Sequence, residues 1–199
     1  GLLTVQQRDS SLGFVGDVFG APLAIEGLAA FFIESTFLGL WIFGWDRLPR
    51  RVHLATIWLA AVGTWLSAYF ILAANSWMQH PVGAVFNPET GRAELDGVSG
   101  IFAVLSNSTL LAAFPHTIAT SWLVAGTFVA AISTWWAVRA HGRGDLQVAD
   151  TFRSAIRLGL VALVIGGVAV AISGDAQAKL MFKQQPMKMA AAEALCHTE

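Results

Sequence analysis

Four long apolar runs divide this sequence, and they constrain the fold more than any other feature. The runs extend over about residues 22–44, 54–78, 110–138 and 156–173. A helix needs about 20 mostly apolar residues to cross a bilayer, and each run is close to that length. A helix also satisfies its own backbone hydrogen bonds in lipid, which a loop cannot do. The sequence therefore predicts an all-α integral membrane protein with about four transmembrane helices in this chain, part of a larger helical bundle.

The composition supports a membrane protein and excludes two other classes. Of the 199 residues, 55% are hydrophobic and 13% are charged, whereas about a quarter of the residues in soluble domains are charged. The net charge of −1 gives no basic field that would attract nucleic acid. Cys196 is the one cysteine, so the chain cannot form an internal disulfide. Because the chain begins at Gly1 and no signal peptide precedes the apolar runs, we expect it to be a fragment.

Arginines in the connections predict how the chain is oriented in the membrane. The connections 45–53 and 139–155 are rich in arginine, whereas connection 79–109 has Arg92 against three acidic residues. The positive-inside rule therefore places 45–53 and 139–155 in the cytoplasm, and 79–109 and the C-terminal tail outside. Gly, Pro, Asn and Ser are frequent in 79–109, so we expect an irregular surface loop there.

Two glutamates, Glu26 and Glu34, lie inside the first apolar run. Placing an ionisable group at membrane depth costs about 2.5–3.5 kcal/mol, so such groups usually serve a function. Their spacing of eight residues places them within about 80° on one helix face and about 12 Å apart along the axis. This arrangement suits a proton relay through water, or one carboxyl beside a cofactor and one towards the proton supply. The alternative is a pair of protonated glutamates that tie helices together.

His116 follows Pro115 near the predicted outer end of the third run. Proline is favoured at a helix start, where its missing N–H is no loss, so we expect this helix to begin there. A neutral imidazole in this position can bind haem iron, although a lone histidine is more often a hydrogen-bonding group.

Polar residues of the second run and of the tail suggest two further sites. His53 and Ser67, fourteen residues apart, lie within about 40° on the helix wheel and could extend a proton route. The alternative for Ser67 is a bond to its own helix. In the tail, Lys188 and Glu193 fall in a predicted short helix over 188–195, for which a solvated amphipathic helix is the alternative.

Several segments resemble subunit I of the cytochrome bd quinol oxidases. The similar segments, in the order in which that family has them, are 17–27 (DVFGAPLAIEG), 32–37 (FIESTF), 44–48 (GWDRL), 67–79 (ending in ANSWMQ), 114–117 (FPHT) and 185–194 (QPMKMAAAEA). The resemblance divides the chain into an unassigned segment 1–13, a transmembrane region 14–175 and a segment 176–199 that begins the extracytoplasmic quinol-binding loop.

The resemblance implies haem sites that this chain shares with missing segments. His116 would be one axial ligand of a low-spin haem b. Glu26 would lie beside a high-spin pair, haem b and haem d, where oxygen is reduced, with its contact to iron left open. The family's other iron ligands, a histidine in an earlier helix and a methionine and a glutamate in later helices, have no counterpart here, which also fits a fragment.

The resemblance further implies roles in proton supply and quinol oxidation. Glu34, Ser67, His53 and Asp46 would belong to a proton pathway from the cytoplasm, with Glu26 and Glu34 as catalytic residues. On the outer side, the quinol-binding residues would be Lys188 and Glu193.

The function implied is a terminal respiratory oxidase of the bacterial plasma membrane. It would oxidise menaquinol or ubiquinol, reduce O2 to water and generate proton motive force by charge separation without pumping. The implied partners are a second membrane subunit and small single-span subunits. The alternatives are another membrane cytochrome b, a proton-coupled secondary transporter and a non-catalytic membrane scaffold.

Overall fold

The computed structural model describes Val18, Gly20 and residues 23–194. The described part contains four helices long and apolar enough to cross a membrane, Leu23–Phe43, Arg50–Gln79, Gly97–Gly142 and Leu146–Gln184. Each overlaps one of the four apolar runs, which confirms the all-α membrane class. The unassigned segment 1–13 and the last residue of the predicted tail helix, at 195, lie outside the described residues.

The secondary structure of the described residues is as follows. The first span contains a π-helical turn, Glu26–Ala30, in which the N–H of Phe31 bonds to the carbonyl of Glu26. The other elements, in chain order, are α1 (Phe31–Phe43), α2 (Arg50–Gln79), β1 (Ala84–Asn87), β2 (Arg92–Leu95), α3 (Gly97–Leu105), α4 (Ser108–Gly142), α5 (Leu146–Gln184) and α6 (Pro186–Ala192).

The chain divides into two compact units, Gly1–Leu111 and Ala112–Glu199. In the first unit, a tight turn after α1 reverses the chain, and the N–H of Leu48 bonds to the carbonyl of Gly44 at 2.9 Å. The returning helix α2 packs closely against α1. A Cβ added at Gly63 would lie 2.8 Å from the backbone nitrogen of Glu34. The missing side chain at Gly63 therefore lets the two helix backbones meet.

The connection 79–109 is ordered, so the expectation of an irregular loop was wrong. Strands β1 and β2 pair antiparallel, with Asn87 opposite Arg92. Gly91 supplies the positive φ of +67° that the hairpin turn requires. The frequent Gly, Pro and Asn residues thus build a hairpin turn, where the composition alone indicated irregular chain.

Asn107 joins the end of this connection to the second span. Its side-chain amide donates to the carbonyl of His80 at 2.8 Å, and its side-chain oxygen accepts from the N–H of Thr109 at 2.9 Å. Tyr69 adds a hydrogen bond from its hydroxyl to the carbonyl of Leu105 at 2.5 Å. These bonds cap the start of α4 and hold α3 against α2.

In the second unit, glycines bring α4 and α5 into backbone contact. A Cβ at Gly126 would lie 2.5 Å from the nitrogen of Leu163, and one at Gly166 would lie 2.6 Å from the nitrogen of Leu123. Small residues at such crossings are typical of membrane helix pairs, because close van der Waals packing drives their association in lipid.

Helices α4 and α5 extend beyond the apolar runs, which corrects two expectations. Pro115 lies inside α4 and does not begin it, since α4 starts at Ser108. Only three residues, 143–145, separate α4 from α5, so most of the predicted connection 139–155 is helical. The carboxylate of Asp145 accepts the N–H of Val148 at 3.2 Å and caps α5. Polar residues can continue a helix beyond the apolar core, and hydropathy alone does not mark its end.

Large apolar side chains cover the outside of the spans. Leu28 is 79% exposed and Phe43 is 77% exposed. A soluble protein would bury such residues. Their exposure indicates that the spans face lipid or further membrane helices, as the prediction of a larger bundle requires.

Candidate functional site

His116 lies on α4, half-buried, and contacts the neighbouring helix α5. Its Nδ1 is 3.0 Å from the hydroxyl oxygen of Ser173. The Ser173 hydroxyl also donates to the carbonyl of Ala169, one turn earlier on α5, at 2.6 Å. The imidazole is thus held between the two helices of the second unit by a polar contact.

His116 lines an open groove of about 730 Å³ along one face of α4. The other lining residues are Thr117, Thr120, Ser121, Val124, Ala125 and Phe128. The three hydroxyl groups of this wall already donate to carbonyls of α4 itself, at 2.7–3.0 Å. The groove wall therefore offers apolar surface and a single imidazole. That combination suits a flat, largely apolar cofactor whose metal the imidazole would bind.

Glu26 is half-buried at the start of the π-helical turn. Its Oε1 accepts a hydrogen bond of 2.6 Å from the hydroxyl of Ser67 on α2. The hydroxyl of Ser67 therefore donates to a residue of another span, which excludes the alternative that it bonds only to its own helix. π-Helical turns are rare and frequently mark functional sites, because they redirect side chains.

Glu34 is half-buried one turn into α1, where α1 meets α2. The glycine that permits this approach is Gly63, one helical turn before Ser67. Glu34, Glu26 and Ser67 therefore all lie along the contact between the first two spans. No described group within hydrogen-bonding distance partners the carboxylate of Glu34.

His53 lies at the other end of this contact, in an aromatic cluster. Its Nε2 is 2.8 Å from the carbonyl oxygen of Trp41. The ring centroids of His53 and Trp45 are 4.5 Å apart, and Trp41 stacks on His53 with centroids 6.3 Å apart. The contact between α1 and α2 thus carries polar side chains from His53 through Glu34 to the pair Ser67–Glu26. Asp46 is exposed in the turn between the two helices.

The tail residues are on the surface. Lys188 is exposed on α6, and Glu193 is exposed directly after it. Neither side chain bonds to another described residue. The short helix expected from the sequence is present, with bounds Pro186–Ala192.

Sequence reasoning missed several contacts around these residues. Ser173 lies 57 positions from His116, and no local pattern relates the two. The contact of His53 with the carbonyl of Trp41 and the π-helical turn at Glu26 have no recognisable pattern in the sequence either. Of the described residues, no group of three or more His, Cys, Asp or Glu could hold a metal ion.

One acidic group outside the membrane has a shifted pKa. Asn87 donates to both carboxylate oxygens of Glu94 at 3.1 Å, and the Thr90 hydroxyl donates at 2.8 Å. These hydrogen bonds lower the pKa of Glu94 below its ordinary value, and the bond from Asn87 has the largest effect. Glu94 thus stabilises the hairpin turn.

Comparisons with known proteins agree with this arrangement. Residues 10–199 match the family described as cytochrome bd terminal oxidase subunit I. The chain is 44% identical over 182 residues to cytochrome bd ubiquinol oxidase subunit 1 of Bacillus subtilis, covering 92% of this chain and 36% of that protein. It is 40% identical over 189 residues to cytochrome bd-II ubiquinol oxidase subunit 1 of Escherichia coli, covering 94% of this chain and 34% of that protein.

A solved structure has the same fold. The bd oxidase from Geobacillus thermodenitrificans matches with a TM-score of 0.75 and 30% identity, over 92% of this chain and 40% of that one. The chain thus spans between about a third and two fifths of the length of these relatives. With four membrane-spanning helices and a family match over residues 10–199, the chain is a multi-pass membrane protein that belongs to the cytochrome bd terminal oxidase subunit I family.

Proposed function

We propose that this chain is part of the haem-bearing subunit of a terminal respiratory oxidase, which oxidises quinol and reduces O2 to water. The observation that carries the proposal is His116, an imidazole that lines an otherwise apolar groove of about 730 Å³. The Nδ1 atom of His116 lies 3.0 Å from the hydroxyl oxygen of Ser173. In a chain of this family, His116 would hold a low-spin haem b by binding its iron.

The groove suits the haem because its hydroxyl groups are satisfied within α4. Val124 and Phe128, which line the groove, would hold a haem there through methyl and aromatic contacts. Apolar contact of this kind would exclude water from the imidazole of His116. Electrostatic interactions of the imidazole are stronger where water is excluded. When bound, the haems supply one-electron carriers between quinol and oxygen. We place a high-spin haem b and a haem d beside Glu26, with ligands from segments outside this chain.

Glu26 and Ser67 can hold and pass a proton next to the site of oxygen reduction. The hydroxyl of Ser67 donates to Oε1 of Glu26 at 2.6 Å, so a protonated Glu26 keeps its second oxygen available. An intramembrane glutamate with a single hydroxyl partner is a costly group, and such groups usually serve a function such as proton transfer.

The remaining polar groups between α1 and α2 can supply that proton. His53 and Glu34 lie along the same helix contact, with Asp46 in the arginine-rich turn that the charge bias assigns to the cytoplasm. The gaps along this line require bridging water, since about 12 Å of helix rise separates Glu34 from Glu26. Protons would thus be taken from the inner side.

Quinol oxidation belongs on the opposite side of the membrane. Lys188 and Glu193 are exposed at the start of the segment that follows α5. A carboxylate there can accept the proton of a quinol hydroxyl, and an ammonium can stabilise the developing negative charge. Release of protons outside and uptake inside would generate proton motive force by charge separation without a pump.

The complete enzyme would lie in a bacterial plasma membrane with partner subunits. By the resemblance, this chain would supply one of several haem ligands, and we propose that the activity needs the full subunit I and a second membrane subunit. We include small single-span subunits as further partners. Menaquinol and ubiquinol are both compatible with Lys188 and Glu193.

The test is an optical redox spectrum of the purified full-length complex, together with oxygen uptake driven by quinol. We expect bands of b-type haem, a chlorin-type band in the red, and oxygen uptake that requires quinol. A complex without haem bands would contradict the proposal and favour a proton-coupled transporter. A spectrum with b-type bands alone would favour another membrane cytochrome b.

A further inference from the structure

The hydroxyl of Ser173 makes three polar contacts that together fix the position of its proton. Its oxygen lies 2.6 Å from the carbonyl oxygen of Ala169, 3.4 Å from that of Val170 and 3.0 Å from Nδ1 of His116. A carbonyl oxygen can only accept a hydrogen bond, and a serine hydroxyl has a single hydrogen to give. The serine proton therefore points to the carbonyls, chiefly to the nearer one of Ala169, which leaves the hydroxyl oxygen as an acceptor towards His116.

The consequence for His116 is a defined tautomer. Because the oxygen of Ser173 accepts, Nδ1 must carry the hydrogen and donate it. In a neutral imidazole, the lone pair is then on Nε2. A metal-binding histidine needs this division of roles, with one nitrogen donating to a fixed acceptor and the other facing the metal.

Gly174, next to Ser173, leaves space for the imidazole ring of His116. A Cβ added at Gly174 would lie 3.3 Å from Cε1 of His116 and 3.7 Å from Nδ1. A side chain at this position would press against the imidazole edge. Ser173 and Gly174 therefore form one surface of α5, in which the hydroxyl holds the ring and the glycine makes room for it.

We infer that Ser173 is a positioning residue for the low-spin haem, which acts through His116 by holding it as the Nδ1–H tautomer. The inference rests on the proposed function, in which His116 is the axial ligand. Ser173 itself touches neither haem nor quinol in this account. Its role is to set the orientation and the electron-donating strength of the ligand.

The hydrogen bond from Nδ1 should make Nε2 a stronger donor to iron. The acceptor is itself polarised by its bond to Ala169, and hydrogen bonds linked in this way reinforce one another. A stronger donor stabilises ferric iron more than ferrous iron. Loss of the Ser173 hydroxyl should therefore raise the midpoint potential of the low-spin haem. Loss of such outer partners commonly costs 10–100-fold in metal affinity or activity.

Two pairs of variants of the full-length oxidase test this inference. Ser173→Ala removes the hydroxyl, and Ser154→Ala removes an exposed hydroxyl of α5 that has no partner among the described residues. Ser173→Thr and Ser173→Val have nearly the same shape and differ in the hydroxyl. This second pair decides the question even if Ser173→Ala does not assemble, because shape effects are common to both members.

The measurements are the midpoint potential and the reduced-minus-oxidised spectrum of the low-spin haem. We expect Ser173→Ala and Ser173→Val to raise the midpoint potential by up to about 59 mV. For one electron, this shift corresponds to a tenfold change in the ratio of the site's affinities for ferrous and ferric haem. Ser173→Thr and Ser154→Ala should match the unmodified enzyme. Equal potentials in the Thr and Val variants, with the haem present, would overturn the inference. A low-spin haem that survives His116→Ala would instead overturn the proposed function, so the two failures are distinguishable.

Discussion

The hydroxyl of Ser67 donates a hydrogen bond of 2.6 Å to Oε1 of Glu26, across 41 positions of the sequence. This bond joins α2 to the π-helical turn of the first span. It turns two isolated polar residues in apolar helices into one unit. The proton route proposed for this protein depends on that unit and on Glu34, which lies along the same helix contact.

Replacing Ser67 should therefore slow turnover. Ser67→Ala leaves Oε1 of Glu26 without its donor, which removes a hydrogen bond worth about 1 kcal/mol and lowers the rate roughly fivefold. Oxygen uptake with saturating quinol measures the effect. Thr64→Ala is the matched control, because the Thr64 hydroxyl bonds only to its own helix, at the carbonyl of Ala60. Equal rates in both variants would separate Ser67 from the proton route.

Glu26 and Glu34 should respond differently to replacement by alanine. Glu26→Ala should change the spectra of the oxygen-site haems, because we place Glu26 beside them. Glu34→Ala should leave those spectra intact and slow turnover about 100-fold, the lower end of what a positioned proton-transfer group contributes. Spectra and oxygen uptake are measured on both variants. A Glu34→Ala enzyme that turns over at the normal rate would remove Glu34 from the route.

Much of the fold follows directly from hydropathy. The apolar runs predicted the four spans, because lipid requires both apolar side chains and internally bonded backbone. The helix ends were less predictable, since polar residues continue α5 to Gln184. The hairpin of connection 79–109 was missed because its strands have only four residues each, too few for a periodic signal.

The candidate site was predictable only in part. Glu26, Glu34 and His116 are conspicuous in sequence, because ionisable groups are rare at membrane depth. Their partners are not conspicuous. The pairing of Ser67 with Glu26 and that of Ser173 with His116 each depend on how two helices cross, and the sequence does not encode that crossing locally. The roles of these residues stay predictions until the variants are measured.

Replacing the charged residues of the tail should selectively impair quinol oxidation. Lys188→Ala and Glu193→Ala should each raise the apparent KM for quinol about tenfold, since a hydrogen bond to a charged group contributes about 1.5–3 kcal/mol. Oxygen uptake with an artificial donor that bypasses the quinol site should stay normal. Lys183→Ala, an exposed lysine in the last turn of α5, is the control. Equal loss with both donors would indicate misfolding, and no loss with either would return the tail to a solvated helix.

The contact between α1 and α2 should tolerate no side chain at Gly63. A methyl group there would lie 2.8 Å from the backbone nitrogen of Glu34, and overpacking of this kind costs about 1–3 kcal/mol. Gly63→Ala should therefore lower the thermal unfolding midpoint of the purified complex. Gly39→Ala is the control, because nothing lies within 4 Å of a Cβ at that position. A Gly63→Ala complex as stable as the control would contradict the close approach of these helices.

The most direct test of the account is the reduced-minus-oxidised spectrum of the His116→Ala oxidase, compared with that of His141→Ala. Both histidines lie on α4, but His141 is exposed in its last turn, away from the groove. We expect His116→Ala to lose the low-spin haem b bands while the oxygen-site haems remain largely present, and His141→Ala to keep all bands. Retention of the full low-spin spectrum in His116→Ala would contradict the assignment of this chain as a haem-binding part of the oxidase.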